Sequence, residues 1–82
     1  MARRPMPKKL AKKLALIRIR LGLSQTQLVE ALNYKASPLY ASQISNFEQG
    51  KREPPLMVLL AYARLADVST DVLIDDKLSL PD

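Results

Sequence analysis

Apolar residues recur along this chain at the three- and four-residue spacing of amphipathic helices, and helix-ending residues separate the runs. The first run contains Leu10, Leu14, Ile17 and Leu21. Gly22 follows it, and glycine favours the left-handed backbone that ends many helices. No segment keeps the strict alternation of a half-buried strand beyond a few residues. The pattern therefore predicts an all-α fold.

Capping residues mark the next two helices. Ser24 is a suitable N-cap, and Gln27 three residues later completes a capping-box pattern. Asn33 is suited to ending this second helix, because asparagine tolerates the left-handed conformation. The third helix is predicted around Ile44 and ends before Gly50.

Two shorter signals complete the set of five helices. Pro55 is predicted as the first residue of the fourth helix, where proline is favoured. The apolar face of that helix is predicted to contain Leu56, Leu59, Leu60 and Ala63. A short fifth helix is capped by Ser69 or Thr70 and anchored by Val72 and Leu73.

The chain contains neither cysteine nor histidine among its 82 residues. This excludes disulfides, thiol chemistry, ordinary zinc sites and every nucleophile–histidine pair. It also has no glycine-rich phosphate loop. The sequence thus predicts a single small domain that is not an enzyme and uses no metal or cofactor.

The charge is distributed unevenly. Residues 1–20 carry eight basic groups and no acidic group, whereas residues 67–82 carry five aspartates and one lysine. A positive end suits a polyanionic partner, although a well-solvated first helix would have the same composition. No apolar run is long enough to span a bilayer, so a cytoplasmic protein without a membrane partner is predicted. An acid-free basic start is also compatible with an organelle-targeting or membrane-surface helix.

The third predicted helix has an unusual outer face. On a helical wheel, Ser42, Ser45, Asn46 and Gln49 lie opposite the apolar residues. Short hydroxyl and amide side chains can approach base edges closely and both donate and accept hydrogen bonds. A neutral surface helix is the alternative interpretation. Lys51 and Arg52 follow directly, within reach of phosphates beside a docked helix.

Two blocks of sequence resemble the phage-repressor-like helix-turn-helix regulators of the Cro and xenobiotic-response-element class. They are LGLSQTQL at residues 21–28 and ISNFEQGKREP at residues 44–54. The resemblance extends from about Leu14 to Ile74. It implies a compact five-helix bundle of the lambda-repressor-like type, whose second and third helices form the helix-turn-helix. It also implies double-stranded DNA as the partner, bound by a homodimer.

Carried over by position, the resemblance assigns a role to individual side chains. The residues expected to face bases are Ala41, Ser42, Ser45 and Asn46. Those expected to hold backbone phosphates are Gln25, Gln43, Gln49, Lys51 and Arg52. Asn46 is the best direct reader, since an amide can bond adenine at two positions. Arg18 and Glu48 are expected to form a structural salt bridge.

One segment departs from the family pattern. Residues 33–40 are about five residues longer than the usual turn between the two helices. Either Ser37 and Pro38 start the third helix one turn early, or Ser37–Tyr40 forms a separate turn and the helix begins near Ala41. In the second case a loop carrying Lys35 projects beside the helix.

These observations divide the chain into a basic flexible arm at residues 1–7, a helix-turn-helix domain at 8–76 and an acidic tail at 77–82. The leading hypothesis is a sequence-specific transcriptional regulator, a dimeric repressor that reads a pseudo-palindromic operator with its third helix. One alternative is an antitoxin-like regulator that also binds a toxin, for which Asp75–Asp82 is the expected contact segment. Another is a helical protein-interaction adaptor that binds no DNA. The candidate dimer surface contains Val72, Leu73, Leu78 and Leu80.

Overall fold

The computed structural model describes residues 6–81, which form five helices and no strand. The helices are α1 (Leu10–Arg20), α2 (Gln25–Leu32), α3 (Ala41–Glu48), α4 (Leu56–Ala66) and α5 (Thr70–Ile74). The all-α prediction is therefore confirmed. The predicted arm falls largely on residues 1–5, outside the described residues, and residue 82 of the predicted tail also lies outside them.

Every helix contributes to one hydrophobic core. Its buried members are Leu10, Leu14, Ile17, Leu28, Leu32, Ile44, Phe47, Val58, Leu59, Tyr62, Ala63 and Leu73. α3 packs against both α1 and α2, and α4 packs against α1, α2 and α5. The inner side of α3 is thus fixed by two other helices, which leaves its opposite side free of the core.

The buried side of α1 differs from the predicted one at two positions. Leu21 is exposed, because it lies just after the last turn of the helix, at the C-cap. Lys13 is buried instead, with 5% of its surface exposed. Its ammonium group donates to the carbonyls of Val72 (2.7 Å) and Asp75 (3.0 Å), at the end of α5. A cation at a helix C-terminus is favoured by the helix dipole and satisfies unpaired carbonyls.

Gly22 ends α1 as predicted. Its backbone has a φ of 70°, a region that glycine adopts at little cost because it has no Cβ atom. Its N–H donates to the carbonyl of Ile19 (3.0 Å), and the N–H of Leu23 donates to the carbonyl of Arg18 (3.2 Å). This pair of bonds is a Schellman motif, which turns the chain toward the start of α2.

α4 begins one residue later than predicted. Pro55 is its N-cap, and the carbonyl of Pro55 accepts the N–H of Val58 (2.9 Å). The prediction that Leu56 belongs to the buried face is wrong, since 76% of its surface is exposed. On the wheel it lies within about 60° of the buried Leu59. Periodicity, however, does not show whether a neighbouring element covers the first turn of a helix.

The segment after α5 runs back along α1. The Asp76 carboxylate accepts the backbone N–H groups of Lys8 and Lys9, both at 3.0 Å, at the start of α1. The guanidinium of Arg20, at the other end of α1, donates to the carbonyl of Pro81. The two backbone N–H bonds lower the pKa of Asp76, because they stabilise its charged form. The segment is thus attached at both ends of the first helix.

The candidate dimer surface needs one correction. Leu73 is completely buried in the core, so it is unavailable to a second copy. Its position in a single-turn helix concealed this, since five residues are too few to define an apolar face.

Among residues 6–81, no helix is long and apolar enough to cross a membrane.

Candidate nucleic-acid interface

The start of α2 is fixed by the predicted capping box. The Ser24 hydroxyl accepts the N–H of Gln27 (3.0 Å), and the Gln27 side chain accepts the N–H of Ser24 (2.8 Å). These bonds satisfy two N–H groups at the helix start. Asn33 ends α2 with a φ of 51°, as predicted.

The long connection between α2 and α3 contains no helix. Residues 36 and 37 form a bend, and residues 38–40 carry no regular secondary structure. The expectation that Ser37 and Pro38 start the third helix is therefore wrong, and the alternative start at Ala41 is confirmed. Tyr34 and Leu39 pack against the core, whereas Lys35 is exposed. These two apolar contacts hold the connection and leave its lysine in solvent.

The outer side of α3 is open to solvent. Ser42 and Gln49 are exposed, and Ser45 and Asn46 are partly exposed. The Gln49 amide donates to the Ser45 hydroxyl (2.7 Å). We name the set Ser42, Ser45, Asn46 and Gln49 the polar face. Nothing in residues 6–81 buries it, so it can contact another molecule directly.

The first turn of α3 is held by a contact that the sequence analysis missed. The Gln43 side chain accepts the N–H of Tyr40 (2.8 Å), the residue before the helix. This is half of a capping box, and Gln43 at the third helical position was the available signal. Tyr40 concealed it, because tyrosine is not a usual N-cap. The side-chain amide oxygen of Gln43 is thus already bonded within the chain. Ala41, at the start of the same helix, is partly exposed.

The end of α3 places two cations beside the polar face. Gly50 has a φ of 74°, and its N–H donates to the carbonyl of Phe47 (3.2 Å). The N–H groups of Lys51 (3.0 Å) and Arg52 (3.4 Å) both donate to the carbonyl of Asn46. Both basic side chains are exposed. The backbone bonds therefore fix where two exposed basic side chains begin at the helix C-terminus.

Arg18 joins three helices at the base of this surface. Its guanidinium donates to both Glu48 oxygens, from Nε to Oε2 at 2.7 Å and from Nη2 to Oε1 at 3.1 Å. It also donates to the carbonyl of Leu23 (3.0 Å), just before α2. The bond to Glu48 raises the pKa of Arg18. The structure thus brings together the pair expected to form a salt bridge.

Gln25 reaches the same ion pair from the first turn of α2. Its amide donates to Glu48 Oε1, at 3.4 Å. Gln25 was predicted to hold a phosphate, and in the structure its side chain points toward a carboxylate of α3. No local pattern indicates this contact, because it depends on how α2 and α3 pack.

The Tyr62 hydroxyl lies near this network and was also missed. Tyr62 is fully buried, and its hydroxyl has no hydrogen-bond partner among residues 6–81. Burial raises the pKa of the phenol, the charge of Glu48 raises it further, and Arg18 opposes both effects. The phenol therefore stays neutral beside the ion pair. A tyrosine at an apolar helical position indicated the burial but not its neighbours.

One comparison with known proteins gives a match. A family model described as a helix-turn-helix domain matches residues 9–76, a span that includes all five helices. Comparisons with curated proteins and with solved structures give no match.

Proposed function

Because the chain belongs to the helix-turn-helix domain family, we propose that it is a sequence-specific transcriptional regulator that binds double-stranded DNA. The observation that carries the proposal is the polar face of α3. It is open to solvent, while Ile44 and Phe47 on the other side of the same helix are buried. A helix held in this way can enter the major groove without losing its packing.

Base readout is assigned to the first and middle turns of α3. Asn46 can form two hydrogen bonds with adenine, and the hydroxyls of Ser42 and Ser45 can donate or accept. Ala41 can contact a thymine methyl group. None of these side chains is long, so the helix backbone can lie close to the base edges.

Phosphate contacts are assigned to the groups around α3. Lys51 and Arg52 provide charge at its end, and Gln49 provides an amide one turn before Arg52. Gln25 and Gln43 remain candidates through the parts of their amides that point away from their present partners. Cationic contacts release counterions from DNA, so the affinity is expected to fall steeply with salt.

In this function the chain is a homodimer that acts as a repressor in the cytoplasm. A single domain of this size contacts few base pairs, and two copies related by a two-fold axis would read a pseudo-palindrome. The half-sites would be roughly 34–36 Å apart. Occupation of such an operator would exclude other proteins from the same DNA.

Selection of binding sites from a random duplex pool, repeated at several salt concentrations, tests the proposal. A two-fold-symmetric site with affinity that falls steeply with salt is the expected result. Arg52→Ala should weaken binding to all sequences alike, which separates phosphate contacts from base contacts. If no site is enriched and salt has no effect, the chain is a protein-interaction adaptor instead.

A further inference from the structure

A groove lies between the outer side of α1 and the segment that follows α5. Its volume is about 350 Å³. Its principal lining residues are Lys9, Lys12, Leu16, Arg20, Leu78 and Leu80. We name it the α1–tail groove. The proposed DNA interface uses none of these residues.

The lining combines an apolar floor with a cationic rim. Leu16 and Leu78 are 37% and 40% exposed, and Ile19, three residues after Leu16 on α1, is 61% exposed. The cations of Lys9 and Lys12 lie in solvent at its edge. Among residues 6–81, no acidic side chain lines the groove. Asp76 lies at one end of the groove, where its carboxylate is bonded to the backbone N–H groups of Lys8 and Lys9. The lining itself favours an occupant that is both apolar and acidic.

The groove faces away from the proposed DNA interface. Leu16 and Arg18 are two positions apart on α1, so their side chains point roughly 160° apart at about 100° per residue. Arg18 points toward Glu48 of α3. An occupant beside Leu16 therefore lies on the side of α1 opposite its contact with α3. DNA and this occupant can bind at the same time.

The walls of the groove are already fixed in the unbound chain. Lys13 joins α1 to the end of α5 through two carbonyls. Asp76 and Arg20 attach the following segment to the two ends of α1. A preformed groove avoids the entropic cost of ordering its walls when a ligand binds.

We propose that the α1–tail groove binds an acidic amphipathic helix of a partner protein. The apolar side chains of that helix would cover Leu16 and Leu78, and its carboxylates would lie beside Lys9 and Lys12. This is the helix-in-groove mode of recognition, with charge complementarity at the rim. A nucleic acid fits less well, because phosphates would leave the leucines exposed to water.

The experiment uses the full chain labelled with ¹⁵N and two synthetic helical peptides. Both peptides carry leucines along one face, with glutamates flanking that face in one peptide and lysines in the other. The glutamate peptide is expected to shift the amide signals of Leu16, Ile19 and Leu78, and the lysine peptide to shift none. Leu16→Glu should weaken binding of the glutamate peptide by about 10-fold or more, because it places a carboxylate in the apolar floor of the groove.

Two further variants keep the test decisive. Lys12→Glu changes an exposed residue, so it tests the rim even if Leu16→Glu fails to fold. Leu56→Glu is the matched control, since Leu56 is an exposed leucine of α4 outside the groove. Lys12→Glu should weaken binding of the glutamate peptide, and Leu56→Glu should bind that peptide with the same affinity as the wild type.

Several results would overturn the proposal. Equal binding of both peptides, shifts confined to α3, or no shifts with either peptide would each do so. Loss of a dimer by Leu16→Glu, with no peptide binding to the wild type, would assign the groove to a second copy of the chain. DNA affinity is expected to be unchanged in Leu16→Glu, so this test is independent of the proposed DNA binding.

Discussion

Arg18 of α1 and Glu48 of α3 form a two-point ion pair, with Nε–Oε2 at 2.7 Å and Nη2–Oε1 at 3.1 Å. Glu48 is in the last turn of the helix that carries the polar face. An acid at a helix C-terminus opposes the helix dipole, so the pairing with Arg18 offsets an unfavourable interaction. The ion pair therefore fixes the end of α3 against α1.

Glu48→Ala is expected to lower the free energy of unfolding by about 2 kcal/mol, because it leaves a partly buried guanidinium without its carboxylate. Urea denaturation measures the change. A double-mutant cycle with Arg18→Ala should give a coupling of about 1 kcal/mol or more. Arg64→Ala, at an exposed position of α4, is the control and should change stability by less than about 0.5 kcal/mol. A coupling near zero would show that the pair does not stabilise the fold.

Ser24→Ala is expected to cost about 1 kcal/mol of stability, because it removes the hydroxyl that accepts the Gln27 N–H. Ser69 provides a matched control. It is the N-cap of α5, but its side chain makes no capping hydrogen bond. Ser69→Ala should therefore cost clearly less in the same urea titration. Equal losses for both variants would contradict a specific role for the capping box.

Asp76→Asn is expected to remove a pH-dependent part of the stability. Its two backbone hydrogen bonds lower the pKa of Asp76 below its ordinary value of 3.8. Because the pKa is lowered, the contribution of the Asp76 carboxylate to the free energy of unfolding is complete at pH values above its ordinary pKa. That contribution is lost as the pH falls through the pKa of the folded state. Thermal melts across the acidic pH range should show a higher melting temperature for the wild type than for Asp76→Asn, and this difference should disappear at the lowest pH values. Asp67→Asn, at an exposed aspartate, should retain the wild-type behaviour; a constant difference between wild type and Asp76→Asn would contradict the assignment.

Tyr62→Phe is expected to leave stability unchanged or to raise it by up to about 1 kcal/mol, because the phenol oxygen has no hydrogen-bond partner among residues 6–81. Tyr62→Ala should instead cost about 3–5 kcal/mol by opening a cavity. The pKa of the phenol is raised in the folded chain. Its contribution to the free energy of unfolding is therefore complete at pH values below its ordinary pKa of 10.0 and is lost in strong alkali. Tyr62→Phe should therefore reduce the alkaline loss of stability. A loss above about 1 kcal/mol at neutral pH would show that the hydroxyl is hydrogen-bonded.

Helix ends were the part of the fold that the sequence predicted best. Ser24, Asn33, Gly22 and Gly50 act as expected because capping depends on residues within a few positions of each other. Burial at helix ends was predicted less well. Leu56 has the spacing of a core residue, and its exposure depends on elements far away in the chain.

The candidate site was predictable to a similar extent. The separation of α3 into buried and polar sides follows from periodicity, and Ser42 and Asn46 lie on the side expected. The engagement of Gln25 with Glu48 depends on the packing of α2 against α3. The burial of Lys13 depends on carbonyls about sixty residues away, which no local pattern encodes. Tertiary contacts of this kind explain most of the differences between the site predicted from the sequence and the site in the structure.

Asn46→Ala provides the most direct test of the proposed function. The dissociation constants of wild type and variant are measured by fluorescence anisotropy, for the selected duplex and for a shuffled duplex at the same salt concentration. The variant is expected to lose about 1–3 kcal/mol of affinity for the selected site and to keep its affinity for the shuffled one. Equal affinity of wild type and variant for the selected site would contradict base readout by α3.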